Sequence, residues 1–175
     1  MAAPSDEFAR IRSYLLAQGE KFSFLELWPR RIKARLEVLD ALEDVSEEQA
    51  AFKPGENEWS ISEVALHVLN GSKNVSRLVE LLAQGDTASS ENIDPAKEQT
   101  DLKINELRRQ LLYDALNWSS MTERLPASPS FTVTANHSMF GDLHSRGWYL
   151  FQRLHDLDHA GQIRSVKESQ GYPTS

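Results

Sequence analysis

Residues 141–163, GDLHSRGWYLFQRLHDLDHAGQI, decide how this chain folds. Trp148, Phe151, His155, His159 and Ile163, with Val166 beyond, recur every three or four positions, the period of a helix turning one face to a core. Two imidazoles therefore lie on the core side of a helix that follows Gly141. Their i, i+4 spacing puts the Cβ atoms roughly 5–6 Å apart, close enough to grip one divalent ion. A buried imidazole costs free energy unless both ring nitrogens find partners, and a metal supplies one.

Working outward, a second helix opens at Ser60, with Glu63 three residues on as a reciprocal capping box. Ile61, Val64, Val68, Val75, Leu78 and Leu82 carry it to Gln84, and His67 lies just over one turn inside it. A further helix spans about Leu102 to Leu125, with Leu107, Leu111, Ala115 and Trp118 on one face. An earlier one starts near Pro29, a suitable first-turn residue, carries Ile32, Leu36, Leu39 and Leu42, and ends around Asp44. Glu7 to Gln18 reads as a short amphipathic helix closed by Gly19 as its C-cap, and Ser46 to Gln49 as another helical turn. The polar stretch from Gly85 to Asp101 reads as an overhand connection. FTVT, Phe131 to Thr134, is too short and isolated to found a sheet. These elements predict an all-α bundle of four principal helices with long crossover connections and an extra short N-terminal helix. Residues 1–20 form the extension and 21–175 the single bundle domain.

The chain has 175 residues, enough for a substantial core, and no cysteine, so neither disulfides nor thiolate ligands are available. That composition suits a reducing cytoplasm, and neither a signal peptide nor a membrane span is visible. The net charge of −7 argues against a nucleic-acid partner. The dense basic cluster, Arg30, Arg31, Lys33 and Arg35, reads as a solvated helix face.

His67, His155 and His159 form a candidate three-histidine metal site, open in the manner of catalytic centres. Imidazole nitrogen suits zinc, nickel, iron or cobalt without choosing among them. Gln152, Gln162, Asp156 and Asp158 flank the pair and are candidates to orient an imidazole N–H, as are Glu63, Asn70 and Asn74 around His67. Candidate general bases are Glu63 and Asp158; candidate substrate-binding walls are Trp59, Trp148 and Phe151. His137 and His144 read as loop residues at the mouth of the pocket.

The phrases EWSISEVALH and MFGDLHSRGWYLFQRLHDLDHAGQI resemble the DinB-like superfamily of small four-helix-bundle proteins. There a Trp-Ser/Thr start opens a helix bearing one histidine, and a Gly-led helix ends in H-x-x-x-H followed by Q-I. The resemblance runs from about Trp28 to Gln170 and implies metal ligands at His67, His155 and His159. The family's usual histidine-proline is His137-Ser138 here, and His144 stands where relatives often place an N-capping Ser or Thr. The resemblance implies a small-molecule substrate and one divalent ion (zinc, nickel, iron or manganese). It also implies either a hydrolase or a transferase using a low-molecular-weight thiol from outside the chain. The alternative is a non-catalytic, stress-associated bundle with a structural or vestigial metal. A homodimer is implied as well, with Leu81, Leu112 and Leu150 off the main stripes to cover.

Overall fold

The computed structural model describes residues 6–174, in six helices and one hairpin. Helix α1 covers Asp6–Lys21, α2 Phe24–Ala41, α3 Glu47–Ala51, α4 Ile61–Gln84, α5 Ile104–Arg124 and α6 Ser145–Lys167. Strands β1, Thr134–His137, and β2, Gly141–His144, pair antiparallel just before α6. The expected all-α bundle is what forms, built on α2, α4, α5 and α6.

Start signals set the register of these helices. Ser23, Ser46 and Ser60 each accept from the backbone N–H three residues on, and Glu26, Gln49 and Glu63 reach back to the cap N–H. The first of these corrects the expected start of α2: Ser23 opens it, and Pro29 lies inside it. Gly85, in the left-handed conformation at φ 91°, closes α4 as expected. Gly19 does not close α1, which runs on to Lys21. Its lack of a side chain serves packing instead, because a Cβ there would come within 2.6 Å of His144 Cε1. α1 thereby lies directly against the start of α6.

The strand reading is corrected too. Thr134–His137 pairs with Gly141–His144, Ala135 facing Leu143, and Trp148 Nε1 donates to the Ala135 carbonyl (3.2 Å). The hairpin is stable despite its length because its inner face is sealed against α6, which supplies the packing that two strands alone lack. His144 is the N-cap of α6, its Nδ1 accepting from Gly147 N (3.1 Å). It is buried rather than at a pocket mouth.

The largest departure concerns α2. Leu36 is 53% exposed, while Arg31 and Arg35 are buried, so the helix is rotated from the apolar stripe that spacing suggests. Arg31 Nη1 donates to Asp156 Oδ2 (2.7 Å), and Arg35 Nε donates to the same oxygen (2.9 Å). Arg35 also donates to Asp114 Oδ2 (3.0 Å) and Ser72 Oγ (2.9 Å). Ser72 in turn donates to Asp114 (2.5 Å) and accepts from Trp118 Nε1 (2.9 Å). The Arg31 guanidinium stacks over the Trp118 ring. The four bundle helices each contribute to this layer.

The layer divides the core. On one side lie Leu27, Val75, Leu78, Trp118 and Phe151; on the other, Val38, Val64, Leu69, Leu111, Ala160 and Ile163. The order of these residues along each helix shows that α2 and α6 run one way while α4 and α5 run the other. The Gly85–Asp101 connection is consequently the overhand crossover that two parallel neighbours require.

Burial alone would push the Asp156 carboxyl up, but Arg31 and Arg35 hold it down to about 2. Because the folded value lies below the unfolded one, its stabilising contribution is present above 3.8 and disappears as pH falls through about 2. Asp156→Ala, which leaves two buried guanidinium groups without their shared partner, should cost about 3–5 kcal/mol in urea unfolding. The variant should also lack that acid limb in its stability profile.

Candidate metal centre

α4 and α6 cross with His67 facing His155 and His159. Gly71, one turn beyond His67, lies beside the His155 ring, where a Cβ would sit 3.4 Å from Cε1, in close contact. His67 Nε2 and His155 Nε2 are 3.1 Å apart, and ligand-capable nitrogens of all three rings lie within 4.8 Å of one another.

Hydrogen bonds at the far nitrogens aim these rings. His67 Nδ1 meets the Pro95 carbonyl (2.9 Å), and His159 Nδ1 meets Gln162 Oε1 (2.7 Å). Both partners are acceptors, so both rings carry their proton on Nδ1 and turn an Nε2 lone pair to the centre. His155 Nδ1 lies 3.4 Å from the Gln152 amide, whose Nε2 donates to Asp156 and whose Oε1 is buried without a partner. His155 Nε2–H can therefore donate to the His67 Nε2 lone pair, the place a cation would take. Burial, with the neighbouring His155 and His67, lowers His159 to about 4, so it is neutral and able to ligate at neutral pH.

Asp94, which sequence reasoning missed, completes the cluster. Its Oδ1 lies 3.2 Å from His67 Nε2 and 3.6 Å from His155 Nε2. The facing His155 and His67 rings hold its carboxyl well below the ordinary range. Two nitrogens bound to one ion at about 2.0–2.1 Å in tetrahedral array lie roughly 3.3–3.4 Å apart, close to the 3.1 Å between His67 Nε2 and His155 Nε2. The residues therefore fit a divalent ion. Asp94 is carried by the crossover, which is tied down by Asn74 Nδ2 to the Asn92 and Ile93 carbonyls (3.4 Å each) and by Lys97 Nζ to the Glu58 carbonyl (2.7 Å). The one available signal was the crossover's length, since structureless loops beyond about 12–15 residues are commonly functional.

A cleft of about 780 Å³ opens onto the cluster. Trp59 and Phe151 line it, with Trp59 edge-on to His67, and His137, Met139, Phe140 and Leu154 continue the wall. From α1 come Arg10, Ile11 and Tyr14. Trp148 does not reach the cleft, being fully buried beneath the hairpin. Of the two expected bases, Asp158 lies at the rim. Glu63 is buried, and against the cost of that burial Lys53 (2.7 Å) and the Ser60 N–H (2.8 Å) hold its carboxyl below the usual range. Asp156, expected beside an imidazole, faces the arginines instead.

The DinB superfamily model matches residues 32–163, most of the chain, and the protein belongs to that superfamily. No curated protein and no solved structure matches it. The matched segment contains all three histidines and Asp94, and it begins after α1.

Gln162→Ala removes the acceptor for His159 Nδ1–H. It should weaken zinc affinity by about 10–100-fold in competition with a chelator. The thermal midpoint of the metal-free protein should not move.

Proposed function

We propose that the protein is a metal-dependent enzyme acting on a small molecule held in the cleft, with His67, His155 and His159 as ligands of one divalent ion. The observation that carries this reading is the convergence of three imidazoles, two with their tautomers set by protein acceptors, at the floor of an open cleft. A divalent ion in such a centre activates a bound water or thiol and polarises a substrate oxygen. Asp94, 62% exposed and facing two of the ligand rings, is the carboxylate best placed to accept a hydrogen bond from the bound water or thiol, and it stays ionised because its carboxyl lies well below the ordinary range. Glu63 is already engaged by its cap and by lysine, which leaves Asp158 at the rim as the secondary candidate. The apolar and aromatic walls support a largely apolar substrate, and the reaction is the hydrolysis or thiol transfer that the resemblance implies. A thiol must come from outside, because the chain has no cysteine.

Untagged protein loaded in turn with zinc, nickel, iron and manganese should bind about one ion per chain by elemental analysis. Failure to reach stoichiometric binding with any of the four would overturn the proposal. Metal-dependent turnover of activated esters, or metal-dependent conjugation of a small thiol to an electrophile, should vanish in His155→Ala. Stoichiometric metal without either activity would favour the non-catalytic bundle.

We also propose pairing of two copies through α2 and α5. Leu36 and Leu112 (47% exposed) line a groove between these helices, bordered by Lys33, Glu37, Asp40, Glu43, Arg108 and Arg109, and Leu116 (59% exposed) lies one turn further along α5. Mixed charge around an apolar strip suits a two-fold contact of the surface with itself. Leu150, expected at such a face, is buried in the core instead. Sedimentation at micromolar concentration should give about twice 19.8 kDa, falling to the chain mass in Leu112→Asp/Leu116→Asp.

A further inference from the structure

His137 is a fourth histidine in the cleft, separate from the three that converge on the metal position. It ends β1 and is 5% exposed, enclosed by Phe140, Trp148 and Phe151 with ring centroids 4.5–5.2 Å away. Its Nδ1 accepts from two backbone amides of the hairpin turn, Met139 N (3.1 Å) and Phe140 N (3.3 Å). A nitrogen that accepts carries no proton, so the neutral ring must hold its hydrogen on Nε2. The turn that the resemblance associates with a proline is fixed here by this side chain.

Among the described residues Nε2 has no hydrogen-bond partner, although the ring lines the cleft. Burial holds His137 down to about 4, so the ring stays neutral and the N–H is permanently present at neutral pH. The ring shares the cleft lining with Asp94, His155 and His159, and it packs on Phe151, which packs in turn on His155 with centroids 5.7 Å apart. A donor fixed in orientation, caged by aromatic rings and lacking a protein acceptor is arranged for an acceptor that arrives with a ligand.

We propose that His137 Nε2–H is the anchoring donor for an oxygen of the substrate, and that the substrate is a small amphipathic molecule with an aryl or alkyl body and a carbonyl or carboxylate head. The body lies on Phe140, Phe151, Met139 and Leu154, with Ile11 and Tyr14 of α1 opposite. The head meets His137 beside the metal position. This rests on the reading of the cleft as a substrate site, but His137 can be tested with or without metal.

The variant is His137→Asn, whose Oδ1 can accept from Met139 N and Phe140 N as Nδ1 does, while its side chain is too short to replace the Nε2 donor. The probe is phenylacetate, titrated by calorimetry into zinc-loaded and metal-free protein. Nitrogen-detected NMR of the parent should show His137 protonated on Nε2, with that resonance shifting as phenylacetate binds. His137→Asn should keep its thermal midpoint and zinc affinity and lose about tenfold in phenylacetate affinity. Equal affinity in variant and parent would overturn the proposal, as would no binding to the parent at millimolar probe or a ring protonated on Nδ1. If zinc fails to load but binding to the metal-free protein still depends on His137, the metal reading falls and this one stands. If zinc loads and His137 is indifferent, the reverse holds.

Discussion

Two arginines on α2 share one carboxylate on α6, and the arrangement of the bundle follows from that contact. Arg31, Arg35 and Asp156 are each almost wholly removed from water, so none can be left without its partners. Asp114 on α5 and Ser72 on α4 complete the set, and only one relative placement of the four helices brings all five groups together. Apolar stripes alone would tolerate a slide of one turn or an exchange of neighbours. A charged layer does not, because each displacement strands an ion in the core. An ionic cluster of this kind adds little net stability over well-packed aliphatic residues, and its use lies in specifying register.

The layer is also continuous with the metal centre. Gln152 donates to Asp156 and lies against His155, so the α6 turn that anchors the arginines also holds a ligand ring. One helix turn thus faces both ways: Asp156 into the core, His155 into the cleft. The scaffold and the histidine cluster share a support.

Much of this was legible in the sequence, for identifiable reasons. The capping box at Ser60 and the i, i+4 histidines are local signals, governed by one turn of helix, and they placed α4, α6 and the three imidazoles. Ser23 carries the same kind of box, and only the attraction of Pro29 as a first-turn residue obscured it. Arg31 and Arg35 were misread because a charged residue's burial is decided by its partners, which lie on other helices far along the chain. The hairpin was misread because TANH has no strand character of its own and pairs only where Trp148 and α6 receive it. Asp94 lies in a loop whose path is set by contacts to Asn74, His67 and Glu58, none of which a linear pattern reveals.

The cleft has two authors within one chain. Its floor, with the imidazoles and Asp94, lies inside the segment that the superfamily shares, whereas Arg10, Ile11 and Tyr14 stand on a helix before that segment begins. That helix is seated through Gly19 against the N-cap of α6, a joint remote from the metal ligands in sequence. Changes along its inner face therefore alter the shape and charge presented to an incoming molecule without touching the groups beneath. The floor and the outer wall of the cleft can then vary independently, the first held still by the arginine layer while the second is redrawn one residue at a time.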